Sequence, residues 1–199
     1  RSEDYDLMKK IIGENAFALL ISSGSRIRAT HSMMILNEDD PENKYIETHI
    51  SRANPQAKTL NDGDEVLCDF LGAHTYISSS WYDHMNVSTW NYEAVQIYGK
   101  VKLMDQEELY SHLEKLTSRF EKAQQCPVMV KDMGKEFVEK EMQGAFGLKI
   151  IPDEIFIAQK LSQNRKENDF LNIISNLENS DDNSRKIADQ MKRLQDKTR

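Results

Sequence analysis

The sequence predicts an α+β fold, mostly β: a small antiparallel barrel with flanking helices and a helical C-terminal tail. Three observations predict it. Short apolar or alternating runs, punctuated by turn residues, fill residues 16–104, as antiparallel strands do. A helical stretch, 105–142, then intervenes, and a late strand at 145–158 returns to close the sheet edge. Beyond residue 165 the chain reads as helix again. A chain of 199 residues can bury its core without disulfides. We expect a barrel domain over 1–160, with the helical insertion 105–142 inside it, and a helical extension over 161–199.

Residues 3–14 form a helix, because Leu7 and Ile11, and likewise Met8 and Ile12, stand four apart behind an acidic first turn. AFALLIS (16–22) is a buried strand that runs into a Ser-Ser-Gly-Ser turn. RIRATHSMMI (26–35) alternates, with Ile27, Ala29, His31 and Met33 on what reads as its apolar face. NEDDPENK (37–44) is a polar loop, Tyr45 to Ile50 a strand, and Asn54-Pro55 the start of a short helix. EVLCDFL (65–71) and HTYIS (74–78) read as two strands separated by Gly72-Ala73. Residues 90–104 alternate again, with Gly99 marking a bulge.

Residues 105–125 form an amphipathic helix. Asp105 is its N-cap, Glu108 completes a capping box, and Leu109, Leu113, Leu116 and Phe120 are its apolar stripe. Residues 131–142 are helical too, and Pro152 interrupts the strand over 145–158. The tail holds a helix near 165–178, a polar break NSDDNS (179–184) and a last helix carrying Ile187, Met191 and Leu194.

Charge and cysteine usage limit the function. Lys plus Arg is 26 and Asp plus Glu is 33, a formal net charge of −7, which argues against a broad nucleic-acid-binding face. The last helix carries Arg185, Lys186, Lys192, Arg193, Lys197 and Arg199, read as a solvated face rather than a DNA-reading helix. No apolar run reaches the roughly 20 residues of a membrane span, and no signal-peptide pattern is visible. Cys68 and Cys126 fit no metal spacing and read as free thiols of a cytoplasmic protein. No metal site is expected, and no triad, Walker loop or GxGxxG is present.

The stretch GAHTYISSSWYDHMNVSTWNY (72–92) holds both tryptophans, Trp81 and Trp90, and two of the five histidines, His74 and His84. Large amphipathic rings beside hydrogen-bonding groups suit a flat, polar-edged ligand. Aromatic packing across a strand pair accounts for the same composition.

Four segments, HISRANPQ (49–56), GAHTYISSSWY (72–82), STWNYEAVQIYG (88–99) and KLSQNR (160–165), occur in the order seen in the PaiB-like FMN-binding negative transcriptional regulators. The chain resembles that family, which is similar to the FMN-binding split barrels. Ser51 stands where Ala is common, and Ala73, Ser79 and Ser88 stand where Pro is common. The DHMNV loop (83–87) lacks a Lys that members often carry between the SWY and TWNY motifs.

The resemblance implies a split antiparallel barrel, an FMN site built from two subunits, and hence a homodimer. It places Ser51, Arg52 and the turn at Asn54 at the phosphate, where a helix start would add N–H donors. Arg52 can instead pair with a surface carboxylate. Arg28, Thr30 and His31 come from the strand beside the flavin ring, although a histidine on an apolar face is also a common core residue. Trp90 and Asn91 would edge the ring or pack the dimer. Lys160, Gln163 and Arg165 would return to the flavin from the C-terminal side, unless KLSQNR serves as a helix cap.

Regulation of transcription would be indirect, because no helix-turn-helix is visible. Two alternatives stay open. One is a haem-binding or haem-degrading split barrel, with His31, His49, His74 or His84 as axial ligand. The other is a flavin-dependent oxidoreductase acting on an unknown small substrate.

Overall fold

The computed structural model describes residues 2–40 and 43–198. Pro41 and Glu42 of the expected polar loop, Arg199 and the side chain of Lys197 lie outside that description. The six strands are β1 (Phe17–Ser22), β2 (Arg28–Asn37), β3 (Tyr45–Ser51), β4 (Glu65–Ile77), β5 (Thr89–Leu103) and β6 (Ala145–Lys160). They close a barrel in the order β1-β2-β3-β6-β5-β4. The late strand does close the ladder. Residues 46–51 of β3 pair antiparallel with 145–150 of β6, Ile46 opposite Ile150 and Ser51 opposite Ala145. β1 pairs on one side with β2 and on the other with β4. Five helices accompany the strands: α1 (Ser2–Glu14), α2 (Gln106–Glu121), α3 (Lys135–Met142), α4 (Glu167–Glu178) and α5 (Asp182–Thr198).

Two compact units divide the chain. One comprises 15–70 and 96–155. Its interior is filled by Leu20, Met34, Ile46, Cys68, Phe70, Ile97, Leu148 and Ile150, all fully buried. Alternation along each strand supplies these side chains, and their burial is the main stabilising term. The other unit comprises α1, residues 71–95 and the chain from Phe156 onward. Ile77, Tyr82, Leu161, Phe170, Ile173, Leu177, Ile187 and Met191 form a core cluster there. Ile187 and Met191, four apart on α5, are both fully buried, as their spacing predicts.

Several boundaries differ from expectation. Gly72-Ala73 does not divide two strands, since β4 runs unbroken from Glu65 to Ile77. A Cβ at Gly72 would lie 3.0 Å from the Glu93 carbonyl oxygen, so this glycine allows close backbone approach. Pro152 does not interrupt β6, because the ladder with β3 ends at Ile150 and a missing N–H beyond it breaks no β3 bond. No helix starts at Asn54-Pro55. The Asn54 side chain accepts from Gln56 N at 2.8 Å, and consecutive turns run on to Thr59.

The capping box at Asp105 and Glu108 is present. Phe120 is 43% exposed, however, and the buried face of α2 is Leu109 with His112. Only Lys135–Met142 of the segment 131–142 is α-helical, after a single 3₁₀ turn over Val130–Asp132. On β2 the faces are reversed. Ser32 and Met34 are buried and His31 is exposed. The inward polar groups are satisfied there, Ser32 Oγ lying 2.7 Å from Thr48 Oγ1.

Candidate functional site

In the barrel unit, the start of β2 meets the turn at 54–56. Arg26, Ile27, Arg28, Ala29, Thr30, Asn54, Pro55 and Gln56 line a cleft of about 340 Å³. Gln56 anchors the turn, its buried amide donating to Leu20 O at 3.2 Å and to Ser22 Oγ at 3.0 Å. Asn54 Nδ2 donates to Thr30 Oγ1 at 3.0 Å, which ties the turn to the strand. Among the described residues neither Arg26 nor Arg28 has an ion pair, and the lining contains no carboxylate. Two uncompensated guanidinium groups beside side-chain donors make this cleft attractive to an anion. Arg28 and Thr30, expected beside the ring, thus share a cleft with Asn54, expected at the phosphate with Ser51 and Arg52. His31 points elsewhere on β2, exposed, with its ring stacked on Phe17 at 5.5 Å between centroids.

Arg52 is in a different place. It lines a cleft of about 590 Å³ with Met104, Asp105, Gln106, Leu109, Glu139, Met142 and Gln143. Its guanidinium lies 5.6 Å from the centre of the Phe146 ring, and no carboxylate pairs with it among the described residues. Two acids in the lining make this cleft less favourable to a phosphate than the first. Ser51 Oγ accepts from Ala53 N at 3.2 Å.

His49, on β3, lies beneath α2, with its Nδ1 3.0 Å from Nε2 of the fully buried His112. Burial first, and the neighbouring His112 second, push the His49 pKa down to about 4. Around this pair lies a polar layer. Glu47 Oε1 accepts from Asn37 Nδ2 at 2.8 Å, and Lys115 Nζ stands 3.6 Å from the same oxygen. Burial pushes the Glu47 carboxyl up, but the His112 ring, the Asn37 amide and the Lys115 ammonium together hold it below its usual value. The sequence reading missed Glu47 and His112. The available signal was the helical spacing of His112 from Leu109 and Leu116, which marks it as facing inward.

In the second unit, Trp90 is 52% exposed and forms an aromatic shelf. Its ring centre is 6.2 Å from that of His74 and 6.1 Å from that of Tyr76. His74, Thr75, Tyr76 and Trp90, with Asp181, Asp182 and Asn183, line an open cleft of about 670 Å³. Asn91 is fully buried, accepting from Ser162 Oγ at 3.1 Å, with its amide 3.6 Å from Met191 Sδ. Lys160 donates to Thr89 Oγ1 at 2.5 Å. Gln163 caps the turn, accepting from Leu161 N at 2.7 Å and donating to Gln159 O at 2.8 Å. The Arg165 guanidinium lies 5.2 Å from the Tyr82 ring centre. Asp83, His84 and Asp169 bring three donor atoms within 4.8 Å of one another.

A closed six-stranded antiparallel barrel defines the class, a split-barrel fold. The fold resembles that of the FAD and haem binding protein from Mycobacterium smegmatis, with a TM-score of 0.56 and 13% identity over 78% of this chain and 70% of that one. Residues 1–153 match the family model described as "Putative FMN-binding domain". The chain is also 38% identical over 183 residues to "Protease synthase and sporulation protein PAI 2" of Bacillus subtilis, covering 90% of this chain and 87% of that one. An uncharacterised protein of Emericella nidulans is 26% identical over 217 residues, with 87% of this chain and 86% of that one covered. This chain belongs to the PaiB-like family of FMN-binding-domain proteins. Among the described residues no helix is long and apolar enough to cross a membrane.

Proposed function

We propose that this protein binds FMN, with the phosphate in the arginine cleft of β2 and the turn at 54–56. The observation that carries the reading is the pair Arg26 and Arg28, two cations without ion-pair partners among the described residues, lining one cleft with Thr30, Asn54 and Gln56. A dianionic phosphate satisfies such a cleft through charge-assisted hydrogen bonds. Arg52 with Ser51 is the second candidate phosphate site. In the other unit, taken by itself, Trp90 offers an exposed ring face, and Lys160, Gln163 and Arg165 are the C-terminal candidates for ligand contact. Redox chemistry would belong to the flavin, the chain supplying binding, access and electrostatics. A flavin-dependent oxidoreductase activity on a small substrate is compatible with that role.

The functional form is a homodimer in the cytoplasm. Exposed Phe17, Ile27 and Trp90 supply apolar surface for a second copy, and the free thiols Cys68 and Cys126 suit a reducing compartment. Any effect on transcription is indirect. α5 presents its bases alongside acids, with Arg185 paired to Asp182 and Lys192 to Glu178.

Titration of the purified protein with FMN and with haemin, followed by absorbance and melting temperature, tests the reading. Saturable FMN binding that raises the melting temperature supports it. A sharp Soret band with haemin, without any response to FMN, transfers the protein to the haem-binding alternative.

A further inference from the structure

The layer between β3 and α2 contains a chain of three titratable side chains. His112 is sealed from solvent, its Nε2 3.0 Å from His49 Nδ1 and its Nδ1 3.5 Å from Glu47 Oε2. Glu47 Oε2 and His112 Nδ1 are both buried without a hydrogen-bond partner, so the two orphaned atoms face only each other. A lone pair on His112 Nδ1 would confront the carboxylate in a low-dielectric space, a costly arrangement, whereas a proton there serves both atoms.

Lys115 supplies positive charge beside Glu47, and its other partner, Asp39 at 2.6 Å, is exposed and solvated, so within the buried layer Glu47 and Lys115 balance with His112 neutral. The other charged and titratable groups of this layer pair among themselves, Lys149 with Glu108 at 2.6 Å and over the Tyr45 ring at 4.9 Å. A neutral His112 protonated at Nδ1 has its lone pair at Nε2, and His49 Nδ1 must donate into it. His49, itself neutral, then keeps its lone pair on Nε2. That atom has no partner among the described residues, and it is not among the buried orphaned atoms, so it opens to solvent.

We propose that Glu47, His112 and His49 form a hydrogen-bond relay that presents His49 Nε2 as an unprotonated acceptor, a site for a ligand offering an uncharged N–H or O–H. Glu47 and His112 are positioning residues and His49 is the contact. The ligand half rests on the FMN reading. There the matching donors are the imide N–H of the ring and the ribityl hydroxyls, while an anionic phosphate is excluded because lone pair would face negative charge.

The test is the tautomer of His49, read from long-range proton–nitrogen NMR spectra of ligand-free, histidine-labelled protein at neutral pH. The expected spectrum has a protonated Nδ1 and an unprotonated Nε2. In His112→Leu, with the fold verified by circular dichroism, the proton moves to Nε2, the tautomer favoured by free histidine. A wild-type spectrum with Nε2 protonated overturns the relay without any need of a variant. So does a folded His112→Leu protein with the wild-type tautomer. Glu47→Gln is a second variant, expected to give a mixture of tautomers.

FMN is then added. A displaced Nε2 resonance supports the contact. FMN bound, as seen by quenching of its fluorescence, with Nε2 unmoved removes His49 from the site and leaves the FMN reading intact. Absence of FMN binding overturns that reading and the ligand half together, while the relay still stands or falls on the ligand-free spectrum.

Discussion

Gly99 on β5 passes so close to Ile151 on β6 that a Cβ at position 99 would lie 2.4 Å from the Ile151 carbonyl oxygen. It would also lie 2.8 Å from the Ile150 side chain. The oxygen belongs to a strand and cannot swing aside as a flexible side chain would. Gly99→Ala is therefore expected to cost about 1–3 kcal/mol, the scale of overpacking a core. Gly13, at the end of α1, has nothing within 4 Å of such a Cβ, and Gly13→Ala should be neutral or stabilising by about 0.5–1 kcal/mol. Urea denaturation of both variants checks the pair. Equal midpoints would remove the close approach as the reason for glycine at position 99.

Arg28 and Arg52 lie in separate clefts, so two substitutions locate the phosphate. Arg28→Ala is expected to weaken FMN binding by about 1.5–3 kcal/mol, the loss of a charged hydrogen bond. Arg52→Ala should weaken it less, because Asp105 and Glu139 in its cleft already disfavour a dianion. Fluorescence titration of both variants measures the difference. A larger loss at Arg52 moves the phosphate to the second cleft.

Asn91 and Ser162 are both buried, and Ser162 adopts φ 57°, a backbone region that side chains other than glycine seldom occupy. The Ser162 hydroxyl donates to Asn91, so Asn91→Ala leaves a buried donor without its acceptor. We expect a loss of about 1–3 kcal/mol in unfolding free energy. Thermal and urea unfolding with unchanged stability would show that water replaces the amide at little cost.

The barrel was legible because period-2 alternation and turn residues act locally. β1, β3 and β5 appear where the pattern puts them, and Asp105 caps α2 through the capping box its spacing predicts. What misled the reading was contact between distant segments. Gly72 and Pro152 look like strand breakers, yet one admits the Glu93 backbone and the other lies beyond the β3 ladder. The alternation of β2 puts His31 on an apolar face because Ser32 and Thr30 look like surface residues, whereas Ser32 is buried against Thr48 and Thr30 is held by Asn54. Of the candidate site the residue types were legible but not their grouping: Thr30, expected at the ring, and Asn54, expected at the phosphate, meet from positions 24 residues apart. The Glu47–His112 approach joins a strand to an insertion helix, and no local pattern encodes it.

The polar layer beneath α2 should make the fold acid-sensitive. Burial and His112 lower the His49 pKa from 6.5 to about 4, so between those values the unfolded chain binds a proton that the folded one refuses. Stability from this group is complete above pH 6.5 and is lost as pH falls through about 4, a total of about 3–4 kcal/mol at 1.36 kcal/mol per pKa unit. Glu47 acts in the same direction at lower pH. Its folded pKa is below the 4.5 of the unfolded chain, so its contribution is complete above that value and is lost beneath it. Melting temperatures measured from pH 7 to pH 4 should fall, and His49→Gln should flatten the upper part of that curve. A variant whose profile parallels the wild type would mean that other groups set the acid limb.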